Sequence, residues 1–439
     1  MKNDRRTIFG WAMYDWANSA YSTVIAGAIL PAYFASEVVP DEGFWGQSGQ
    51  TIWGFVTGFA AFALFLFMPV LGAMADYSAS KRRFLQVFAY GGALFTTVLF
   101  FATTGNVVFT LAFFMLAQFG FVGANVFYDG FLPDISTDDT IDQVSSKGFA
   151  FGYIGGGLYL LFALALIQLS SDGALAARIA IGGTGLWWAG FSLFAFSRLR
   201  ETGTATPLPE RFRDTFRPLA YAKIGFGRTV ATGAKLLGFK QLLLFVVAYM
   251  LYNDGVQTTI NMSAVYASDT LRLDTSVIAL TFLVVQFVAF AGALGFGWLA
   301  ARLDVKRAIQ INLVVWIVIA TVAFFLPVGQ AVPFIATGAV IGIVLGGVQA
   351  LSRSLYGSMI PEEASAEFYG FFSVFSKFSA IWGPIIFGFV SAATGSGRNA
   401  ILSIVAFFAL GLVLFSAVDV DEARRSRERW SFAPDPTEV

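Results

Sequence analysis

The chain has 439 residues, of which 57% are hydrophobic and 13% charged, and its mean hydropathy is +0.70. A soluble chain would carry roughly 25% charged residues, so the composition indicates an integral membrane protein and excludes an ordinary soluble domain. The 28 basic and 28 acidic residues balance, which argues against a nucleic-acid partner, and the absence of cysteine and histidine excludes disulfides, thiol nucleophiles, imidazole bases and Cys or His metal sites. We therefore expect no cofactor.

Apolar runs of about 20 residues recur along the chain, and each is long enough to cross a hydrocarbon core about 30 Å thick as a helix. The sequence therefore predicts an all-α membrane protein with twelve transmembrane helices. The predicted spans, numbered 1 to 12, cover residues 8–34, 51–75, 83–103, 107–128, 148–170, 176–197, 241–266, 276–300, 308–327, 332–356, 367–391 and 399–418. Because no small-residue cleavage site precedes the first span, we expect it to be retained.

The basic residues predict the orientation of these spans, because cytoplasmic loops are enriched in Lys and Arg. Of the 28 basic residues, 24 fall on the side that carries both termini, and three fall in loops on the opposite side. Both termini are therefore predicted to be cytoplasmic.

A long polar segment divides the twelve spans into six and six. The predicted units are an N-terminal six-helix bundle over 1–200, a cytoplasmic linker over 201–239, a C-terminal six-helix bundle over 240–420 and a cytoplasmic tail over 421–439. The prolines, arginines and phenylalanines of the linker fit a surface helix lying against anionic lipid. They fit a solvated connector equally well, and composition alone leaves both interpretations open.

The two halves repeat each other. The tyrosine, proline and acidic residue of 128–134 recur with the same spacing in 356–362, at an offset of 228 residues. The loop signal of residues 72–83 recurs in the same way at 297–307. A repeat of six spans in the same orientation predicts two bundles related by an axis along the membrane normal, an arrangement that favours alternating access.

Polar residues form a stripe on one side of span 1, the stretch YDWANSAY, when successive residues are placed 100° apart on a helix. Similar stripes occur on spans 4, 7 and 10, so the repeat places one pair of striped spans in each half. Polar residues of this kind bond across helices for packing as well as for ligand binding. The candidate substrate-binding residues are Asn18, Tyr21, Asn125, Asp254, Gln257, Asn261, Gln349 and Lys377.

Two opposite charges are predicted to lie deep in the membrane. Asp254 and Lys377 are each ten or more residues into their spans, where a charge costs about 2.5–3.5 kcal/mol. One interpretation is a site in which Lys377 receives a carboxylate and Asp254 an ammonium group; the other is an ion pair that only holds helices together. Since burial disfavours the charged form of a carboxylate, Asp15 and Asp254 are candidates for exchanging a coupling proton.

The loop after span 2 carries a glycine, an aspartate four residues later and a basic cluster. With the six-plus-six repeat, it resembles the signature loop of the major facilitator superfamily, although two extra residues separate the acid from the basic cluster and the second copy has Ala301 in place of the acid. The resemblance implies that spans 1, 4, 7 and 10 line a central cavity. The candidate gating residues, which would exchange ion-pair partners, are Asp76, Lys81, Arg82, Arg83 and Arg353. The basic residues of the loop could instead serve only to set the topology.

Two longer stretches narrow the resemblance. The segments GWAMYDWANSAYSTVI, residues 10–25, and GGVQALSRSLYGSMIPEEASAEFYGFFSVFSKFSAIWGP, residues 346–384, closely resemble the vacuole-effluxer family. Eukaryotic members of that family are associated with amino-acid efflux from the vacuole during autophagy. The compact chain predicts a multi-pass protein of a bacterial inner membrane, or of the vacuolar membrane in a eukaryote.

The sequence therefore predicts a secondary active transporter and not an enzyme. We expect a monomer that moves a small polar solute, such as an amino acid or a similar zwitterion, by alternating access, with a proton as the candidate coupling ion. A lipid or amphiphile exporter of the same fold is the alternative, and the intramembrane charges argue against it.

Overall fold

The computed structural model describes residues 2–40, 42–201, 205–212 and 215–430, so parts of the predicted linker and tail lie outside the described residues. Within these ranges the chain is helical, with one isolated β-bridge between Phe44 and Gln47. The α-helices are, in chain order, α1 (Arg5–Ala20), α2 (Ile29–Tyr33), α3 (Gly49–Tyr77), α4 (Lys81–Val98), α5 (Val107–Gly130), α6 (Leu132–Ile135), α7 (Ile141–Leu169), α8 (Gly173–Arg198), α9 (Arg217–Leu236), α10 (Lys240–Val265), α11 (Thr275–Leu303), α12 (Val305–Phe324), α13 (Ala331–Met359), α14 (Ser365–Phe378), α15 (Trp382–Thr394), α16 (Gly397–Ser416) and α17 (Val420–Arg427).

Ten helical segments of the described ranges are long and apolar enough to cross a membrane. They coincide with predicted spans 2–6 and 8–12. The helix pair α9 and α10, bent by 94° at its junction, provides an eleventh through α10, which is predicted span 7. The all-helical membrane fold is therefore confirmed with ten or eleven candidate spans, and the count of twelve stays a prediction.

The first predicted span has an unusual form. The chain is helical from Arg5 to Val38, but α1 and α2 are joined and followed by wider π-helical turns over Tyr21–Ala28 and Phe34–Val38. A π-helical turn re-aims the side chains that follow it and is frequent at functional sites. The polar stripe predicted on span 1 lies mainly on α1, immediately before the first π-helical segment.

Predicted span 11 is broken into α14 and α15 by the turn Ser379–Ile381. Pro384 explains the break, because a proline has no N–H to donate to the carbonyl of Ala380, four residues earlier, and its ring crowds that carbonyl. The break leaves backbone N–H groups at the start of α15 without helical partners, and it falls directly after Lys377 and Phe378.

The buried apolar side chains form two large clusters. One draws on residues 11–199, together with Ala366, and is built around Trp11 and Trp188. The other draws on residues 236–423 and contains Trp316. Each half of the repeated sequence thus buries its own apolar faces, and the space between the two clusters is left for polar contacts.

The halves meet closely at the end of the molecule that carries the termini. There α14 packs on α3 and α5, and α7 packs on α11 and α13. A Cβ added to Gly72 would lie 2.3 Å from the carbonyl oxygen of Ala366, so α3 and α14 touch backbone to backbone. At the opposite end a groove of about 490 Å³ opens between the halves, lined by α2, α7, α8 and α11.

Candidate functional site in the cavity between the two halves

A cavity of about 180 Å³ lies between helices of the two halves. Its walls come from α5 and α7 in the first half and from α10, α13 and α14 in the second. The polar stripes predicted on spans 4, 7 and 10 therefore converge on one space. The amide and charged side chains that line the cavity are Asn125, Asp129, Asn253, Gln257, Gln349, Arg353 and Lys377.

Arg353 lies at the base of this cavity, and its side chain is only 5% exposed. Its guanidinium forms ion pairs with Asp129 at 3.1 Å and with Asp15 at 3.4 Å. It also donates to the side chain and the carbonyl oxygen of Ser145, at 3.0 and 2.8 Å. Both carboxylates and Ser145 belong to the first half, so a single arginine of α13 ties the halves together.

Aromatic rings enclose the same guanidinium. Its central carbon lies 4.1 Å from the ring centroid of Phe149 and 4.9 Å from that of Trp11, distances at which a cation is attracted to the ring face. Tyr128 stacks on Trp11 and donates from its hydroxyl to Asp15 at 3.0 Å. The charge of Arg353 is thus neutralised by two acids and shielded by rings, as a buried cation requires.

Lys377, the other cation that lines the cavity, differs from Arg353 in its surroundings. It lies in the last turn of α14, is exposed to the cavity, and forms no ion pair with any residue of the described ranges. A cation in the last turn of a helix is favoured by the helix dipole, which helps to hold the lysine there. Because Arg353 is held by two acids, Lys377 is the cation of the cavity wall that has no ion-pair partner in the described ranges.

Asp254 and Lys377 form no ion pair in the described ranges, and only Lys377 lines the cavity. Asp254 is 2% exposed and does not line the cavity. Its carboxylate accepts a hydrogen bond of 2.9 Å from the backbone N–H of Gly383. The acid therefore satisfies one of the N–H groups that the break before α15 leaves open, a position where the helix dipole favours a negative charge.

The neighbouring amides hold one another behind the cavity wall. Asn18 donates to the side-chain oxygen of Asn125 at 2.5 Å, and Tyr21 donates to Gln118 at 3.0 Å. Neither Asn18 nor Tyr21 lines the cavity, so the structure places them behind Asn125 as supports. Asn261, one turn beyond Gln257 on α10, is exposed and outside the lining.

Asp76 connects the halves at the end that carries the termini. Its side chain is 1% exposed and accepts hydrogen bonds from the backbone N–H groups of Glu367 at 2.8 Å and Ala366 at 3.3 Å. These are the first residues of α14 after Ser365. A carboxylate of the first half thus caps a helix of the second, in the orientation that the helix dipole favours.

Lys81 completes this cluster. Its ammonium group lies 2.5 Å from a carboxylate oxygen of Asp134, 4.0 Å from Asp76 and 2.9 Å from the hydroxyl of Ser365, which itself donates to the carbonyl oxygen of Gly130 at 2.7 Å. We call the four groups Asp76, Lys81, Asp134 and Ser365 the terminal-side cluster. It joins α3, α4, α5 and α6 to α14.

Two predicted gating residues lie outside the terminal-side cluster. Arg82 donates from its guanidinium to the carbonyl oxygen of Phe196 and from its backbone N–H to Glu201, each at 2.9 Å. Arg83 is exposed. Neither forms a hydrogen bond or an ion pair with the second half in the described residues, and their gating role stays a prediction.

At the same end α17 packs against α10 and α13 of the second half and reaches the first half through Arg427. Arg427 forms an ion pair with Asp138 at 2.6 Å and donates to the carbonyl oxygen of Ser358 at 2.7 Å. The hydrogen bond to Asp138 raises the pKa of Arg427 further above its ordinary value. This pair is partly exposed and peripheral to the terminal-side cluster.

Sequence reasoning did not place Asp129 and Asn253 among the candidate site residues, although Asp129 lies in a predicted polar stripe and Asn253 is next to Asp254. Asp129 follows Tyr128 in the polar stripe of span 4, and this stripe was the available signal. Asn253 precedes Asp254, and its amide donates to the hydroxyl of Ser379 at 2.6 Å. Among the described residues no group of three or more acidic side chains is placed to hold a metal ion.

Comparison with solved structures shows the major facilitator fold. The chain resembles a bacterial homologue of the iron transporter ferroportin in its outward-facing state, with a TM-score of 0.67 and 14% identity over 95% of this chain and 99% of that one. It also resembles the proton:xylose symporter XylE, with a TM-score of 0.70 and 11% identity over 96% and 98% of the two chains.

A family model described as "Vacuole effluxer Atg22 like" matches residues 47–428, and the chain belongs to this family. It is 30% identical to YxiO, an uncharacterized MFS-type transporter of Bacillus subtilis (strain 168), over 95% of this chain and 96% of the relative. It is 22% identical to autophagy-related protein 22 of Coccidioides immitis (strain RS), over 96% and 88% of the two chains. The protein is therefore a multi-pass transporter of the major facilitator superfamily, as the sequence predicted, and not an enzyme.

Proposed function

We propose that the protein is a secondary active transporter for a small solute that carries a carboxylate, such as an amino acid or a similar zwitterion. The observation that carries the proposal is Lys377, a cation that faces the cavity and has no ion-pair partner among the described residues. A charge within a membrane span is costly unless it pairs with an opposite charge or faces a polar cavity, and a carboxylate of the solute supplies the opposite charge.

We assign the binding of the ammonium group, at the other end of the solute, to Asp129. It lines the same cavity and retains one carboxylate oxygen beyond the oxygen that contacts Arg353, so an ammonium group can bind there. Asn125, Gln257 and Gln349 line the space between and offer amide donors and acceptors that fix the orientation of the solute.

The size and lining of the cavity favour this solute over a lipid. Its volume of about 180 Å³ is below the roughly 300–1,000 Å³ of typical small-molecule sites, and charged or amide side chains form much of its wall. Acyl chains would leave these polar groups unpaired, at a cost of several kcal/mol in total.

The topology that we propose has twelve spans in two six-helix bundles, 1–200 and 240–420, with the helical segment Arg5–Val38 as span 1. The basic residues place both termini in the cytoplasm, so the terminal-side cluster closes the cytoplasmic end, and the groove at the opposite end faces outward. We place the protein in the inner membrane of a bacterium, where it acts as a monomer and the two bundles rock about the cavity.

Proton coupling is assigned to Asp15, with Asp254 as the second candidate. Asp15 accepts a hydrogen bond from Tyr128 and forms an ion pair with Arg353. The contact between the halves depends on Arg353. A proton on Asp15 removes one of the two negative charges that neutralise Arg353, so protonation and separation of the halves are linked through one ion pair. Asp254 lies further from this contact, beside the break before α15.

Thermal-shift measurements on the purified protein test the binding proposal. A ligand at 100 times its dissociation constant stabilises the folded state by about 2.7 kcal/mol. In a panel of amino acids, peptides and sugars, we expect a group of related compounds that carry a carboxylate to raise the unfolding temperature. Lys377→Met should abolish this shift, whereas Lys147→Met, at an exposed position outside the cavity, should retain it. Equal shifts in the two variants would contradict the proposed site.

Transport in proteoliposomes tests the coupling separately. With the solute identified by binding, flux should follow an imposed proton gradient in the wild type, and Asp15→Asn should permit exchange but not accumulation. Accumulation that persists when both Asp15 and Asp254 are replaced by Asn would exclude the coupling proposal and leave the binding site intact.

A further inference from the structure

The helix α9 runs along the end of the molecule that carries the termini, at 94° to the helix that follows it. Because α10 is a candidate membrane span, a helix perpendicular to it at its first residue lies parallel to the membrane plane. Only residues 237–239 separate the two helices, so α9 is held at the depth where α10 enters the bilayer.

One side of α9 exposes large apolar side chains. Leu219, Phe226, Val230 and Leu237 are 50%, 63%, 59% and 70% exposed, and they fall within about 40° of one another at 100° per residue. No described part of the chain covers this face. We call these four residues the α9 stripe.

The charge of α9 fits an anionic surface. The helix contains four basic residues and no acidic one, and Arg217 and Lys223 are exposed. Lysines and arginines near an anionic bilayer surface contribute about 1 kcal/mol each. Lys223 lies about 40° round the helix from Leu219. An apolar stripe with a lysine beside it, on a helix parallel to the membrane, is the pattern of interfacial amphipathic helices.

The opposite side of α9 packs against both halves of the protein. A Cβ added to Gly225 would lie 2.9 Å from the carbonyl oxygen of Val70 on α3. Arg228 forms an ion pair of 3.1 Å with Glu367 on α14, a side chain with no solvent exposure. Glu367 is also the residue whose backbone N–H bonds to Asp76. The helix therefore touches both members of the α3 and α14 contact.

We propose that α9 docks on the anionic surface of the bilayer through the α9 stripe and that this docking holds the α3 and α14 contact closed. The bilayer supplies apolar acyl chains for the stripe and phosphate groups for Arg217 and Lys223. Docking fixes the position of Arg228, which keeps Glu367 and the start of α14 against α3. The proposal does not depend on which solute the cavity binds.

The exposed α9 stripe also argues against the alternative that α9 is a connector surrounded only by water. A helix facing only water would place four large apolar side chains on one face at a cost of about 25 cal/mol for each Å² of apolar surface left in water. The same surface is stabilised when it enters the boundary between headgroups and acyl chains, about 5–10 Å deep.

Site-directed spin labelling measures the docking, because the chain has no cysteine and each introduced one is a unique label. The pair is Phe226→Cys, in the stripe, and Ala231→Cys, exposed and about 100° round the helix from Val230. In nanodiscs containing phosphatidylglycerol, the label at 226 should be accessible to oxygen and protected from a water-soluble nickel complex. The label at 231 should show the reverse, and equal nickel accessibility at both sites would overturn the docking.

Hydrogen exchange measures the effect on the contact. The amides of Ala366 and Glu367 should lose protection when Leu219, Phe226 and Val230 are replaced by Ser, or when phosphatidylcholine replaces the anionic lipid. Ala231→Ser should leave their protection unchanged. Unaltered exchange in α16 shows that each variant is folded, and unaltered exchange at 366 and 367 in the stripe variant would overturn the coupling between docking and closure.

Discussion

Two contacts between the halves are related by the internal repeat and differ in chemistry. In the first copy, Gly72 of α3 approaches the backbone of Ala366 on α14. In the second copy, Gly297 of α11 approaches α7, where an added Cβ would lie 2.4 Å from the hydroxyl oxygen of Ser146. Both glycines therefore allow a close crossing of two helices.

The polar groups around the two crossings are different. Four residues after Gly72, Asp76 caps the start of α14 and joins the terminal-side cluster. Four residues after Gly297 the chain has Ala301, which offers no polar group. Near this crossing the hydroxyl of Ser354 on α13 donates a hydrogen bond of 2.5 Å to Asp142 on α7.

Two helix pairs related by the repeat therefore form contacts of different chemistry. Charged groups that separate from a partner recover part of the lost energy as hydration, and the close approach of Gly72 to the backbone of α14 leaves no room for a larger residue. We therefore expect the α3 and α14 contact to respond both to changes of charge and to added volume, and the α7 and α11 contact, which has no residue equivalent to Asp76, to respond less to either.

The largest effect is expected from Asp76→Ala. It removes a buried carboxylate, leaves two N–H groups of α14 without an acceptor and weakens the pairing of Lys81, so the folded protein should lose about 3 kcal/mol of stability. Thermal unfolding in detergent measures the loss. Asp139→Ala, at an exposed acid of the same end, is the control and should stay within about 0.5 kcal/mol; similar losses in both would remove the distinction between the two contacts.

The second-largest effect is expected from replacing the glycines at the two helix crossings by valine, which adds volume there. Gly72→Val drives a side chain into the backbone of α14 and should cost about 1–3 kcal/mol or more. Gly297→Val meets the hydroxyl oxygen and the Cβ of Ser146, and rotation relieves only the contact with the oxygen. The loss should therefore be smaller than for Gly72→Val, which meets backbone atoms only, but larger than at an open position. Gly295→Val, which meets nothing within 4 Å, is the control for unfolding measurements; a larger loss for Gly297→Val than for Gly72→Val would reverse the comparison.

A smaller effect is expected at the periphery of the same end. The pair of Arg427 with Asp138 is partly exposed, at 22% and 48%, so Asp138→Asn should cost less than about 1 kcal/mol. The loss should disappear at high salt, which screens exposed pairs, while the loss for Asp76→Ala should persist. Unfolding at two salt concentrations compares them, and a salt-insensitive loss at 138 would contradict this ranking.

The smallest effect is expected from Ala301→Asp, which restores the acid of the first copy to the second. Because Ala301 is exposed and Asp142 already occupies the start of α7, the added charge should change stability by no more than about 0.5 kcal/mol. Stabilisation by more than 1 kcal/mol, about twice the range of an ordinary surface change, would show that both crossings accept the same helix cap.

Much of the site follows from the polar stripes. Asn125, Gln257 and Gln349 belong to predicted stripes on three spans, and all three line the cavity. Helical periodicity was sufficient here because the membrane core tolerates polar side chains only where they face other protein. The roles predicted for these residues stay predictions until a solute is bound.

Asp254 shows where periodicity fails. It and Asn253 are adjacent, about 100° apart on α10, and only Asn253 lines the cavity. The orientation of Asp254 depends on the break before α15, whose free N–H at Gly383 it satisfies. Hydropathy showed span 11 as one continuous segment, so the partner of Asp254 was not visible in the sequence.

The sequence by itself determined that the protein is an all-helical membrane protein and that its two halves repeat each other in sequence, because these follow from composition and spacing along one chain. Only the tertiary structure decided which charges are paired. Arg353 meets Asp15 and Asp129 across 338 and 224 residues, and Lys377 meets none in the described ranges. Pairing depends on the rotation and depth of helices from different halves, and no local pattern encodes these.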